Sequence, residues 1–560
     1  MTKPSTPASD IYRTAILAEV PRVLGLMDRE PYSPTQGCCD RVYWAWKFTD
    51  FPGARFQEAL CVLGFLYATD FEGNDYHGNP HLLEWIGDGL AYWSSIQYPD
   101  GSFDEAYPFE RSLAATAFTS FYVGEALTFL GDALPDGVQA RALETLRKAG
   151  AWLCNNDETH GFLSNHLAAA AAALHHVYRL TGDEDCAKRS QYFIDRILSH
   201  QSTEGWYDEY GSADPGYQTH GSFYLARIWQ FNGDAALADS LDRAMRFLAH
   251  FVHVDGSLGG EYASRNTQTC YPAAFEMFAH GSTASAWIAE SMRPGVLSGS
   301  AADLRGIDAY NYFPFLNNMV FAWLACSENE QRPAPASREP DATNPLVWYP
   351  QAGLARVRRE RYDVLVGTAK GGVIKLFDRR NRRMVYSDCG YIGKLHSGRV
   401  FSSQHQDPQR KVLVDADNIE VSGSFSEISR PVMKPPRFIG FRCFMLSIGR
   451  FPALARWLKQ YLVKVLIYRK RTLAIDFNRT IRFGEQTVTV QDRIAGPDGK
   501  RVASLQRSTR FTTIHMGSSR YFINNELNET TQPESREVEP GQIETGASCK
   551  HVITFNGADT

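Results

Sequence analysis

The stretch Asp100-Gly101-Ser102-Phe103-Asp104-Glu105-Ala106-Tyr107 decides the fold, because two later stretches repeat it. They are Glu204-Gly205-Trp206-Tyr207-Asp208-Glu209-Tyr210 and Asp255-Gly256-Ser257-Leu258-Gly259-Gly260-Glu261-Tyr262. The starts lie 104 and then 51 residues apart, two periods and one. A polar loop at 155–161 marks the missing position, and the segments 49–55 and 308–312 extend the register to about six units. A period of this length means stacked supersecondary units.

Between the loops, apolar residues recur at helical spacing over 11–27, 56–67, 81–96, 111–130, 138–154, 163–180, 184–200, 217–231, 235–250, 269–292 and 312–326. Two helices per period, six times over, give about twelve. The recurring loops are aromatic and acidic and fall on one end. The hairpins are therefore expected to close into a ring around a cavity rather than remain an open solenoid. Residues 327–344 are rich in Pro, Ala, Glu and Arg and read as a linker. Beyond Leu346, β-branched and alternating runs at 362–366, 372–376, 412–414, 472–475, 487–490 and 510–514 read as antiparallel strands. The expected architecture is a multidomain α+β chain. An N-terminal (α/α)6 toroid of helical hairpins spans 1–328, a linker 329–345, and an antiparallel β-sandwich domain 346–560. An insert at about 438–471 interrupts the sandwich. There Phe451, Leu454, Trp457, Leu458, Leu462, Val465 and Leu466 alternate with Arg450, Arg456, Lys459, Lys464, Arg469, Lys470 and Arg471, the pattern of a basic amphipathic element. Peripheral membrane contact through 450–471 is one expectation for it, and a helix packed on the sandwich is the other.

The bulk numbers exclude several classes. A net charge of −5 over 560 residues gives no global basic field, which argues against a nucleic-acid partner. Residues 1–10 are polar and lack the apolar core of a signal peptide. The ten cysteines have no framework spacing and no Cys-x-x-Cys pair, as expected of free thiols in a reducing, cytoplasmic setting without a structural metal. No cofactor motif is apparent.

The loops hold the residue types that an acidic oligosaccharide or polysaccharide needs. Tyr107, Trp206, Tyr210 and Tyr262 are candidate platforms for sugar rings; Glu105 and Arg111 are candidates for hydroxyls and for an acidic group. Two chemistries compete. Paired carboxylates, Asp104 or Glu105 with Asp208 or Glu209, would serve glycoside hydrolysis. β-Elimination from a uronate instead needs the C5 carboxylate neutralised, a base for the C5 proton and an acid for the departing O4. Ser164-Asn165-His166 opens the alanine-rich helix after one loop, and Asp214-Pro215-Gly216-Tyr217-Gln218-Thr219-His220 opens the next inner helix about 50 residues on. One hairpin of separation makes Asn165, His166 and Tyr217 neighbours around the ring.

With this Asn-His before an inner helix, the Tyr one repeat later, and a toroid followed by a sandwich, the chain resembles the heparinase II/III-like superfamily of polysaccharide lyases. That superfamily includes oligoalginate lyases and is related to the dermatan sulfate epimerases. The resemblance implies that Asn165 and His166 bind the uronate carboxylate and that His166 is also the base toward one C5 epimer. Tyr217 is then the general acid, and the base toward the other epimer. It further implies a β-domain histidine over the cavity, His405 in preference to His396. The His-x-His-x-Asp run of many members is reduced here to His405-Gln406-Asp407, so no metal is expected. The basic insert is outside the family pattern. A C5-epimerase using the same residues, a six-hairpin hydrolase and a non-catalytic glycan-binding assembly factor are the alternatives, and the inner membrane face is the second possible location.

Overall fold

In the computed structural model, the described residues are 7–158, 161–209, 211–301, 303–407, 409–428, 432–463, 471–508, 513, 521 and 537–555. Tyr210, the insert residues Lys464, Val465, Leu466, Arg469 and Lys470 and, apart from Thr513, the strand expected at 510–514 lie outside them.

Among the described residues of the toroid, twelve α-helices form two concentric rings. The inner helices are α2 (Ala59–Ala68), α4 (Leu113–Leu130), α6 (Ser164–Thr181), α8 (Pro215–Asn232), α10 (Ala273–Met277) and α12 (Ala309–Glu330). Each packs on the next, and α12 returns to α2, so the inner ring is closed. The outer helices α1 (Ala8–Leu26), α3 (Pro80–Ser95), α5 (Asp136–Asn155), α7 (Glu184–Ser199), α9 (Ala235–Ala249) and α11 (Thr283–Ser298) alternate with them in sequence. The inner helices are apolar nearly all round, as buried helices must be. Ala168 to Ala173 of α6 are all buried, and their short side chains let α4 and α8 approach from both sides. The 113–133 window of α4 is long and apolar enough to cross a membrane, yet 89% of it is buried within the ring.

One helix expected at 269–292 is instead two, α10 and α11. Gly281 and Ser282 separate them, and the Ser282 side chain accepts from the Ser285 N–H to start α11.

The repeated loop has one geometry in all three copies. Tyr98 N–H donates to Ser102 O and Gly101 N–H returns to Tyr98 O; Ser202 with Trp206 and Gly205, and His253 with Ser257 and Gly256, do the same. The three glycines have φ of +96°, +96° and +83°. A Cβ on Gly101 would meet the Lys148 carbonyl oxygen at 2.1 Å, and one on Gly205 that of Arg243 at 2.4 Å. Each turn thus lies flat against the next outer helix, and glycine is required twice over, by conformation and by space. Every such loop leads from the end of an outer helix into the start of an inner one, so all six inner helices begin at the same end of the toroid.

After α12 the chain enters the β-domain at β1 (Leu346–Tyr349), followed by β2 (Leu354–Arg358), β3 (Tyr362–Gly367), β4 (Val373–Asp378) and β5 (Arg383–Asp388), a five-stranded antiparallel sheet in sequence order. The second sheet comprises β6 (Tyr391–Leu395), β7 (Val400–Ser402), β8 (Lys411–Val414), β9 (Asn418–Ile428), β10 (Thr472–Phe483), β11 (Thr487–Ala495), β12 (Val502–Arg507), β13 (Glu537–Val538) and β14 (Ala547–Thr554). Its order is β13-β12-β6-β7-β9-β10-β11-β14, with β8 also on β9. Leu354, Leu365, Val373 and Phe377 of the first sheet join the toroid core, while Val357, Val364, Val366 and Leu376 pack on Ile419, Val421, Ile481 and Val490 of the second. With both faces covered, β3 and β4 are buried at every position. β10 alternates, because its outer face is in water.

Between β9 and β10 lie the two helices of the insert, α13 (Pro435–Leu446) and α14 (Pro452–Val463). They do not simply pack on the sandwich. Phe441 of α13 meets Tyr107 edge-on at 5.1 Å, and Arg442 pairs with Asp50 at 3.0 Å, both on toroid loops.

Candidate active site

The end of the toroid where the inner helices begin collects the groups capable of acid–base chemistry. Asp214 caps α8 by accepting from the Tyr217 N–H at 3.0 Å, and its other oxygen accepts from the Arg265 N–H at 2.7 Å. This one carboxylate therefore ties the loop after the third repeat to the start of α8. The guanidinium of Arg265 consequently lies 4.1 Å from the centre of the Tyr217 ring. Behind it stands Glu209, whose Oε2 is 3.7 Å from Arg265 Nη1. Glu209 also accepts from the Asn165 backbone N–H at 2.9 Å and from its Nδ2 at 2.8 Å. Burial pushes the Glu209 carboxyl up to about 7, even though Arg265 and Asn165 favour its charge. Asn165, His166 and Tyr217 are thus brought to neighbouring helix starts, with Glu209 and Arg265 linking α6 to α8.

His166 is 22% exposed at the side chain, and its Nδ1 lies 2.8 Å from Glu158 Oε2. With the Glu158 carboxyl at Nδ1, Nε2 is the ring nitrogen turned away from that contact. Phe118 contacts His166 edge-on at 5.7 Å and stacks on His220 at 5.5 Å. His220 is clasped on its other face by Tyr271, 4.1 Å away, and its Nε2 bonds the Tyr224 hydroxyl at 2.9 Å. Burial, together with Arg55 and His166, drives His220 well below its usual range, so this imidazole is neutral. Arg55 completes the floor. It pairs with Glu58 at 2.9 Å and with Glu105 at 3.1 Å, over the Phe118 ring. Burial raises Glu58 to about 7.

The β-domain reaches this end through Tyr521, Gln406 and Lys370. The Tyr521 hydroxyl donates to Asp308 at 3.3 Å and its backbone N–H to the Gln268 side-chain oxygen, in the neighbourhood of Tyr217 and Tyr271. Gln406 donates to Ser212 at 3.3 Å. Lys370, fully buried, donates to the Ala263 carbonyl at 2.8 Å and to Asn266, gripping the loop that carries Arg265. His405 turns Nε2 to the Ser426 carbonyl of β9 at 3.1 Å. His396 is exposed on the turn between β6 and β7, where its N–H donates to the Arg501 carbonyl, so it is not among the described residues that reach the toroid.

Several expected sugar contacts prove structural. Trp206 is 8% exposed and donates to Glu204, which in turn accepts the backbone N–H groups of Gln351 and Ala352: it seals the domain junction. Tyr262 is wholly buried, bonded to His253 at 3.0 Å, with Gly367 of β3 pressed on its carbonyl. Neither can stack on a ligand. Tyr107 faces the insert. Arg111 pairs with Asp100 at 2.9 Å and keeps a buried Nη1 without a hydrogen-bond partner. Glu105 serves Arg55 and Ser112. The hydrolase carboxylates are anchors: Asp104 accepts from Tyr98, Phe109 and Arg111, and Asp208 from Gly211. In place of these, Tyr310 at the start of α12 presents a half-exposed ring beside Phe56. A separate cavity of about 690 Å³, lined in part by Arg358, Arg361, Arg379 and Trp287, sits at the outer rim past α9.

Known proteins place the architecture. Residues 86–274, from α3 into α10, match the family model of the Ulvan lyase N-terminal domain. Among solved structures, the Streptomyces coelicolor A3 chondroitin AC lyase, determined in complex with chondroitin sulphate, superposes with a TM-score of 0.57 at 13% identity, over 90% of this chain and 69% of that one. A Paenibacillus xanthan lyase gives 0.54 at 12% identity, over 90% of this chain and 47% of its own. No curated protein matches the chain in sequence. The chain shares with both structures the fold of a helical toroid followed by antiparallel β-sheets, and its stretch from α3 into α10 is similar to the Ulvan lyase N-terminal domain.

Proposed function

We propose that the chain is a polysaccharide lyase that cleaves a uronic-acid-containing glycan by β-elimination at the mouth of the toroid. The observation that carries this reading is the pairing of Tyr217, under the Arg265 guanidinium, with His166, whose Nδ1 is held by Glu158, on adjacent inner helices. In the reaction, a base takes the proton from C5. The C–H electron pair becomes the C4=C5 double bond, the C4–O4 bond breaks, and the departing O4 takes a proton. His166 Nε2 is the base toward one C5 epimer, and Tyr217 is the acid to O4 and the base toward the other.

The donor side of Asn165 is occupied by Glu209, which shifts the role that the resemblance implies for it. Arg265 is the cation that neutralises the C5 carboxylate, and Asn165 with Glu209 positions it. We assign the chain to the heparinase II/III-like branch on the Asn165-His166 and Tyr217 spacing.

A panel of ulvan, chondroitin sulphate, xanthan and oligoalginate tests the proposal. Growth of the unsaturated-uronate absorbance supports it. Deuterium uptake at C5 without cleavage would turn the reading to epimerisation, and new reducing ends without unsaturation to hydrolysis.

A further inference from the structure

We infer that α13 and α14, with the neighbouring toroid turn around Phe48, form a docking surface for an anionic lipid membrane beside the active-site mouth. Three observations carry this. The first is charge: between Glu427 and Asp476 there are eleven Lys and Arg residues and no Asp or Glu, in a chain whose net charge is −5. Such a block is attracted to an anionic surface at about 1 kcal/mol per basic residue close to it.

The second is apolar exposure. Ile439 is 61% exposed, Phe451 65%, Trp457 60% and Phe48 of the toroid 93%. Lys434, Arg437 and Arg450 are exposed among them. Folded proteins do not leave large aliphatic and aromatic side chains clustered in water without a use. A soluble acidic glycan would use the arginines but gains little from Ile439 or Phe451, whereas the headgroup–acyl boundary takes both cation and hydrocarbon.

The third is placement. The insert is fastened to the toroid through the Arg442–Asp50 ion pair, Phe441 on Tyr107, and Arg450 over Phe109 at 5.4 Å. Tyr107 and Phe109 belong to the first repeated loop, on the rim where the inner helices begin. A membrane bound at this surface therefore lies against the mouth, and the enzyme would act on glycan held at, or emerging from, that membrane.

The experiment is flotation of the full-length protein with vesicles of phosphatidylcholine containing roughly 30% phosphatidylglycerol, against pure phosphatidylcholine. The wild type is expected to float with the anionic vesicles only, and to be released as salt is raised. Lys434→Glu/Arg437→Glu/Arg450→Glu should lower partitioning on the order of 100-fold. Ile439→Ser/Phe451→Ser keeps every charge and should still lower it about 10-fold or more. Melting curves of the variants matching wild type confirm the fold. No flotation of the wild type, or full retention in Ile439→Ser/Phe451→Ser, overturns the inference. So does soluble chondroitin sulphate stripping the protein from vesicles and binding to the same triple-charge site, which would make the surface a glycan site. None of these readouts depends on lyase activity.

Discussion

Replacing Glu209 by glutamine isolates one buried proton. The Glu209 side chain is 1% exposed, and its carboxyl is raised from 4.5 to about 7, chiefly by burial. Between these values the native state holds a proton that the unfolded chain has released. Stability therefore falls as pH rises through this window: it is fully present below about 4.5 and lost above about 7. The difference corresponds to about 3 kcal/mol. Because the group is out of water, no discount for solvent screening applies. The substituted amide keeps an acceptor for the two Asn165 donors but cannot titrate. The 3.7 Å approach to Arg265 is an ion pair only where Glu209 is ionised, so its loss is already counted in the titration of that carboxyl. Relative to wild type, Glu209→Gln should thus gain about 3 kcal/mol on going from about pH 4.5 to about pH 8, whatever its absolute stability. Measured as Tm against pH for both proteins, this is about 3 °C in the difference for a chain of 560 residues. Glu58 titrates in the same range but is common to both, so it cancels. Parallel Tm curves for variant and wild type would refute the placement of an ionisable Glu209 in the core.

Tyr217→Phe should lose about 100-fold or more in kcat on whichever uronate polymer proves active, since the proton-carrying hydroxyl is removed, while a melting curve checks the fold; retained turnover would remove Tyr217 from the chemistry. Arg265→Met should lower kcat more than it raises KM, because the carboxylate gains charge as the C5 proton leaves, and a rise in KM with kcat unchanged would count against its role as the neutralising cation. Gly205→Ala places a Cβ 2.4 Å from the Arg243 oxygen at a φ of +96° and should cost more than about 3 kcal/mol. Gly211→Ala, at φ +80° with open space around it, should cost only about 1 kcal/mol, and equal losses in chemical denaturation would contradict this. Lys370 is lowered by burial from 10.5 to about 8, so the native state sheds its proton first and wild-type stability should rise from pH 8 toward 10.5. Melting curves of Lys370→Met should lack that rise.

The ring of hairpins was legible because its period is written in short, local signals: a glycine turn, then an apolar run. The break inside 269–292 was harder to see, since both sides of it are buried and equally apolar, and only Gly281-Ser282 marks the cap. The placement of Asn165, His166 and Tyr217 at neighbouring helix starts was legible, because it follows from the period. Arg265 and Lys370 were not, and Glu209 was read only as a hydrolase carboxylate, because their partners lie 44 to 107 residues away or in the other domain. Trp206 and Tyr262 misled for a related reason. An aromatic residue in a rim loop reads the same whether it faces a sugar or the second domain, and here the β-domain covers both.

All six inner helices start at one end, and this gives the mouth an electrostatic character that no single residue supplies. Each helix start carries roughly half a positive charge from its aligned peptide dipoles, so the ring concentrates on the order of two to three charges around the opening. That potential comes from the backbone and has no pKa. It survives any side-chain substitution and any pH at which the toroid stays folded, and only dissolved ions weaken it. A chain that is acidic as a whole can therefore still draw a polyanion to one spot. The scaffold's share of the capture rate should follow ionic strength and not pH, whereas a change through neutral pH reports the mouth's own carboxyls, Glu58 and Glu209, which titrate at about 7.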